Sequence, residues 1–523
     1  MLVRSLIVVL AVAIATFSCT SSDQTFISTL RIAVDTEPEV FDPGRARSLA
    51  STTTLRMIYE GLLRKGADGS LVPGVAERWE VSSDGIVYTF HLRNCKWSNG
   101  TPVTAQDFVN AWRRQLDPTF PAPNANQLYS ITGAREARNG TGSLDAVGIK
   151  AIDDTTLVVT LESPSATFLE LTTFHAFFPI SRALDTERPS WHSEGWQSVV
   201  GNGPFALSGR SSVIKNSSYW DAPSVKLSGV EMIAVDETTA LLLFEQGALD
   251  WIGSPLSTLP ADALSALREK GALRIVPAAG TQFLRFNTND QFLKEASARH
   301  ALSYAIDRRA IVDHILQAGQ QPATALVPAS VSSVDKTMRH FFNDSAVELA
   351  KARLNSVAAS AYFPTVIISY SNNERYHRLA QVLQQQWEES LGIAVKLRRL
   401  ESKVLYDAVK TGDYQVAIGS WFADIDDPSN FLEVFESSNN GTNNTGWEDA
   451  SYMKMLSEAR ATNDPSERTI LLREAERVLM QAMPIAPINT FTFAYLQADT
   501  VRGVIFSPLG HLDFRHVSIE ETR

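Results

Sequence analysis

Val72-Pro73-Gly74-Val75-Ala76-Glu77-Arg78-Trp79, then Tyr88-Thr89-Phe90-His91-Leu92-Arg93, then Trp97-Ser98-Asn99-Gly100-Thr101-Pro102-Val103-Thr104-Ala105-Gln106-Asp107-Phe108 is the most informative stretch of the chain. Residues 87–93 set Val, Thr and His on one face and Tyr, Phe and Leu on the other, the period of two that a strand needs. Thr104 followed by Asp107 fits a capping box, and Phe108, Trp112 and Leu116 recur every fourth residue, which predicts a helix over 105–116 with one buried stripe. A strand and a capped amphipathic helix so close together indicate a mixed α/β protein.

The same alternation continues outward. Residues 30–34, 155–161, 393–400 and 414–420 read as strands, and 298–316 and 376–391 as long helices, the second closed by Gly392. Asp464-Pro465-Ser466-Glu467 opens a helix that runs to Met483, where Pro484 stops it. The Ser, Asn, Gly and Thr of residues 436–446 read as a solvated loop.

At roughly 150 residues per domain, 523 residues allow three units or one body with two large lobes. Apolar residues at 44% and charged residues at 20% are ordinary globular values, which excludes long-range disorder and a polytopic membrane protein. The 47 Lys and Arg against 58 Asp and Glu give a formal charge of −11, so nucleic acid is a poor partner. Two cysteines, Cys19 and Cys95, assemble neither a disulfide framework nor a Cys-based zinc site.

Residues 1–18 carry Arg4, an apolar run over 6–17 and small Ser18, the layout of an export signal. The run is shorter than the roughly 20 residues of a membrane span, and no later stretch is long and apolar enough to cross. Cys19 directly after the cleavage point resembles a bacterial lipoprotein signal, although Thr16 and Phe17 depart from the usual residues, and 19–29 would be the polar tether. A plain secretory signal is the alternative.

Catalysis has no evident carrier. Ser333-x-x-Lys336, Ser371-Asn372-Asn373 and Lys410-Thr411-Gly412 follow the order of the penicillin-binding proteins, so a serine acyl-enzyme is the competing hypothesis. That chemistry needs Lys-Thr-Gly on a strand, whereas here it closes a helical pattern, with Gly412 as its cap. His511 and His516 are read as surface residues rather than metal ligands, and Cys95 as a small buried group. No metal and no cofactor is expected.

Three further stretches join the opening one. Glu37-Pro38-x-x-x-Asp42-Pro43 precedes Tyr59-Glu60-Gly61-Leu62-Leu63; Asn202-Gly203-Pro204-Phe205 precedes Asn216, Tyr219-Trp220 and Gly247-Ala248-Leu249-Asp250. Ala301-Leu302-Ser303-Tyr304-Ala305-Ile306-Asp307-Arg308 precedes Ser420-Trp421-Phe422-Ala423-Asp424-x-x-Asp427-Pro428-x-Asn430-Phe431-Leu432. Together, from about residue 30 to the C-terminus, these resemble the extracellular solute-binding proteins of peptide ABC transporters, the oligopeptide- and dipeptide-binding family, solute-binding family 5.

The resemblance implies a two-lobed, periplasmic-binding-protein-like α/β fold of class II, with mixed sheets and a hinge between lobes. Lobe I would comprise 30–54, 174–278 and 486–523, with 55–173 an extra subdomain packed on it, and lobe II 279–485. It implies a monomeric receptor in the periplasm or on the cell surface, held to the membrane by a lipid on Cys19. That receptor would pass short peptides to ABC permease subunits and catalyse nothing.

A receptor for many peptides must hold what they share: backbone amides, which a strand edge can pair, and an α-ammonium, which needs a carboxylate once it leaves water. By the resemblance, Asp424 meets the ammonium, beside Trp421; Ser420, Phe422, Ser48 and Leu49 offer main-chain groups. Asp426 and Asp427 fit a turn or cap. Asn124 stands where relatives carry a cleft tyrosine. Ile418 and Tyr376, or His377 with a one-residue shift, stand where relatives meet the peptide carboxylate. Those departures leave open a non-peptide ligand, such as a nickel chelate, haem or an opine, and a ligand sensor in place of a transport receptor.

Overall fold

The computed structural model describes residues 28–331, 340–357, 364–438, 441–462 and 464–520. One mixed sheet of eleven strands runs through the molecule. From one edge its order is Val395–Leu400, Val366–Ser371, Val416–Phe422, Arg274–Phe286, Ile485–Gln497, Trp251–Gly253, Thr29–Val34, Gly229–Ala234, Ser212–Lys215 and Phe205–Leu207, with Gln321–Pro322 paired to the side of Ile485–Gln497.

Two 13-residue antiparallel strands, Arg274–Phe286 and Ile485–Gln497, form the middle of this sheet. Their ladder breaks after Pro277↔Thr492 and resumes at Thr281↔Thr490. Past Pro277 the Ala279 N–H donates to Pro508 O at 2.7 Å instead of to the neighbouring strand. The break also divides two cores. On one side Val276 packs against a core that includes Ile32, Leu55, Phe108, Trp112 and Phe205; on the other, Ala279 belongs to a core with Leu302, Trp387, Phe431 and Leu479. The molecule is thus two-lobed, with the long strands crossing the join.

In the first core, Ala76–Val81, Val87–Leu92, Thr156–Thr160 and Ile149–Ala151 make a four-stranded sheet, with the helix Ala105–Leu116 packed into the same core. The helix starts where predicted because Asp107 Oδ2 accepts the Thr104 backbone N–H at 2.8 Å. Phe108, Trp112 and Leu116 are fully buried. The second core is built on Glu374–Leu391, closed by Gly392 at φ +67°, and Pro465–Ala482, opened by Asp464. Among the described residues no helix is long and apolar enough to cross a membrane.

Two expectations are corrected. The helix expected over 298–316 is interrupted: Ala296–Tyr304 ends, and Asp307 caps a new turn by accepting the Ala310 N–H at 2.8 Å. Buried Arg308 holds the break open, donating to the carbonyls of Ser303 (3.1 Å), Ile306 (3.3 Å) and Pro487 (2.7 Å). The loop expected over 436–446 is not wholly solvated, since Asn443 and Thr445 are fully buried and Thr445 O accepts the Thr288 N–H at 2.8 Å. Residues 439 and 440 lie outside the described residues.

Candidate functional site

Val416–Phe422 is flanked unequally. One edge pairs with Arg274–Phe286 along its whole length, from Phe286↔Val416 to Gly280↔Phe422. The other meets Val366–Ser371 only at Ile368↔Val416 and Ser369↔Ala417, because that strand ends at Ser371 and Asn373 caps the next helix. Ala423 N–H donates back to Ala279 O at 2.9 Å. By the alternation of a strand, residues 419 and 421 turn their backbone groups the same way, and Ser420 and Phe422 turn theirs to the open edge. Among the described residues no strand pairs with that edge.

Asp424 stands just past this edge. Asn430 Oδ1 accepts both the Asp424 N–H and the Trp421 Nε1–H at 3.1 Å, which fixes the turn and aims the carboxylate outward. Asp424 is exposed, yet protein crowds around its carboxylate. That desolvation pushes the Asp424 carboxyl above its ordinary range, partly opposed by a hydrogen bond from Gln127 Nε2 at 3.3 Å. Gln127 is 297 residues from Asp424 along the chain, and Asp424 sits where Ala423 of the second core gives way to Ile425 of the first.

The three neighbouring acids differ in their partners. Asp427 is buried, chelated by Arg468 at 2.8 Å through both nitrogens, and accepts the Ser429 N–H at 2.9 Å. Asp426 faces a separate cavity. Asp424 alone lies at the open edge, and no cationic side chain among the described residues pairs with it.

Opposite, Asn124 precedes the turn Ala125–Leu128 that carries Gln127; its Nδ2 donates to Ala46 O at 3.3 Å and lies 3.1 Å from His175 Nε2. This brings Asn124 to the segment leading into Ser48 and Leu49. Ser48 caps the helix Leu49–Ile58, its Oγ accepting the Ser51 N–H at 3.2 Å, and Leu49 is half exposed. Tyr376 is half-buried against the second core, and the neighbouring His377 is engaged by the Tyr370 hydroxyl at 2.7 Å. Ile418 is buried in that core.

Sequence reasoning missed Phe491, Gly280 and Gln127 here. Phe422, 46% exposed, stacks on Phe491 at 4.5 Å between ring centroids. Gly280 lies beneath, where an added Cβ would meet the Phe422 ring at 2.6 Å, so only glycine lets the two rings meet across the intervening strand. Phe491-Thr492-Phe493-Ala494-Tyr495 alternates as a strand, but the alternation does not say which face borders the crevice. Gln127 carried no motif, and Asn430 stood in the motif around Asp424 without being marked as its partner.

A cavity of about 290 Å³ is lined in part by Arg56, Glu60, Asp426, His511 and Arg515, and not by Asp424. Its charges engage one another: Glu60 accepts from Tyr219 Oη at 2.5 Å and Trp220 Nε1 at 2.6 Å, and Arg515 grips Asp513. Arg56 donates to Thr173 O at 3.2 Å and meets His511 Nε2 at 3.1 Å. Burial, then the nearby Arg56 charge, drives the His511 ring well below its ordinary pKa and His175 down to about 3. His511 is thus part of an internal network rather than the surface residue expected.

Cys19, Ser333 and Lys336 lie outside the described residues. Lys410-Thr411-Gly412 ends the helix Ser402–Thr411, with Gly412 in the left-handed conformation at φ +79°, so it is not a strand edging a catalytic cleft. Cys95 is buried in the first core, which pushes its thiol up to about 12. Among the described residues no group of three or more His, Cys, Asp or Glu is placed to hold a metal ion.

Residues 70–443 match the model of the bacterial extracellular solute-binding proteins, family 5 Middle. The chain is 38% identical over 502 residues to the oligopeptide-binding protein OppA of Bacillus subtilis, spanning 94% of this chain and 92% of that protein. Among solved structures, the murein tripeptide binding protein MppA in its unliganded open form superposes with a TM-score of 0.82 at 30% identity, over 94% of this chain and 97% of that one. Haemophilus influenzae OppA in complex with RPPGFSPFR gives 0.75 at 27% identity, over 94% and 99%.

Proposed function

Because the chain belongs to the bacterial extracellular solute-binding proteins of family 5, we propose that it captures peptides in the crevice at Asp424 and delivers them to an ABC permease, with no chemistry of its own. One observation carries this reading: an acid without a cationic partner among the described residues stands at the end of an open backbone edge. The edge suits a peptide main chain, and the acid suits its ammonium. Ser420 and Phe422 would pair with the peptide backbone, Ser48, Leu49 and Asn124 would close over it from the other lobe, and Trp421 and Tyr376 would border it.

The lobes, divided as the sequence suggests, would hinge at the ladder break between Pro277 and Thr281. Ligand touching both sides favours the closed arrangement and shifts the population toward it. In the cell the protein would act as a monomer outside the cytoplasm, tethered through a lipid on Cys19.

Calorimetric titration with tri- to pentapeptides, together with mass spectrometry of co-purified ligand, tests the proposal. Heat of binding and a peptide mass support it. A nickel chelate, haem or opine recovered instead, with no heat from any peptide, refutes it.

A further inference from the structure

A second hollow lies apart from the peptide crevice. The cavity of about 290 Å³ is walled by the end of the helix Leu49–Ile58, the strand Leu63–Lys65, the loop that follows Asp424 and residues between 505 and 515. None of Ser48, Leu49, Asn124, Ser420, Phe422 and Asp424 lines it. Its size is near the roughly 300 Å³ at which small-molecule sites begin. Much of the wall is apolar: Leu63, Phe178 and Leu512 are buried, and Ile505, Phe506 and Leu509 are half-buried.

The charges on this wall are not equally spent. Arg515 is gripped by Asp513, and Lys65 by Glu170 at 2.5 Å. Arg64 donates to Tyr219 Oη at 3.5 Å and lies 3.7 Å from Glu60 Oε2. Asp68 accepts the Ser70 N–H at 3.0 Å and its hydroxyl at 2.6 Å.

Arg56 differs from these. Its guanidinium makes no ion pair among the described residues, with Asp426 on the same wall or with any other acid, and donates to two neutral acceptors, Thr173 O at 3.2 Å and His511 Nε2 at 3.1 Å. Arginine can only donate, so His511 Nε2 accepts, which fits a neutral ring. Two of the five guanidinium N–H groups are thereby met, while Nε, shut off from the surface, has no partner among the described residues. Burial lowers the Arg56 pKa to about 10, so the group stays charged at neutral pH.

A half-buried cation beside apolar walls, balanced by no carboxylate, gains more from an arriving anion than one in open solvent, because part of the desolvation has already occurred. A planar guanidinium matches a carboxylate through parallel hydrogen bonds, and the walls offer area for an apolar body to cover. A bare inorganic anion would leave those walls uncovered, and a neutral ligand would leave the charge as it is.

We propose that this cavity is a second ligand site, for a small organic carboxylate with an apolar body, its acid group held by Arg56. The inference goes beyond the peptide-receptor reading and stands independently of what the crevice binds.

The test is calorimetric titration of the full chain with benzoate, hexanoate, their amides benzamide and hexanamide, and inorganic phosphate. At least one of the two acids should bind about tenfold or more tighter than its own amide and than phosphate, the scale of a hydrogen bond to a charged group. Arg56→Gln should remove the advantage of acid over amide. Leu509→Trp leaves Arg56 in place, fills the apolar side of the cavity and should weaken the acid about tenfold, so it tests the site even where Arg56→Gln does not fold. No heat from either acid at millimolar concentration, equal binding of acid and amide, phosphate binding as tightly as the acids, or wild-type acid affinity in either variant that folds overturns the inference. The peptide-receptor reading is untouched by any of these results, since no probe is a peptide.

Discussion

Replacing Asp424 with asparagine removes one charge and almost no volume, and the new amide oxygen can still accept the 3.3 Å hydrogen bond from Gln127. What is lost is the charge that would balance a peptide ammonium in the crevice. Truncating one member of an enclosed, hydrogen-bonded charge pair costs about 2–5 kcal/mol, much of it from leaving the other charge unpaired. The isosteric change, in a crevice that still admits water, belongs in the lower part of that range, about 2–4 kcal/mol. That corresponds to a Kd raised roughly 30- to 1000-fold. Titration calorimetry with a free peptide and its N-acetylated form on both proteins makes a double-mutant cycle. Acetylation should weaken wild-type binding by a similar factor and weaken binding to Asp424→Asn little further. The fold should not suffer. Desolvation raises the carboxyl of folded Asp424 above its ordinary value of 3.8, so above that window the ionised group is a small liability to the folded state, and asparagine removes it. An unchanged Kd, full additivity of the two changes, or a collapsed melting temperature would refute the reasoning.

Three other perturbations have expected outcomes. Gly280→Val forces Cβ into the Phe422 ring, 2.6 Å away, and should cost about 1–3 kcal/mol in urea denaturation while weakening peptide binding through the displaced ring. Arg468→Met strands the buried Asp427 carboxylate and should cost about 3–5 kcal/mol, with part recovered in the double variant Asp427→Asn, Arg468→Met; full stability of the single variant would contradict the pairing. His175 is held neutral in the fold down to about 3 against an ordinary value of 6.5, so the unfolded chain binds its proton first. Stability should therefore fall as pH drops from about 6.5 toward 3, and His175→Gln should flatten that slope in denaturation midpoints measured across the range.

Local signals carried the elements whose ends are set by neighbours in the chain. Thr104 with Asp107, Gly392, and Asp464 with Pro465 mark ends of three helices because caps act over three or four residues, whereas the Asn373 cap, which starts the second helix at Glu374 rather than 376, was not read. The same logic failed over 298–316. Arg308 reaches Pro487 O, 179 residues away, and that bond, unseen in any window of sequence, breaks the helix. Likewise Asn443 and Thr445 have loop composition, yet lie buried because Thr288 comes to them from 157 residues away.

The amino-acid order by itself determined the family, the mixed α/β character and the motif that contains Asp424, because these are written in short spacings and local periodicities. It pointed to Asp424 rather than Asp426 or Asp427 only through the resemblance, and it did not give the partners of any of the three. Arg468 meets Asp427, Gln127 meets Asp424 from 297 residues away, and Phe491 comes beside Arg375 across the sheet. Burial and pairing of a charge depend on which distant segments pack around it, and only the tertiary structure decides that.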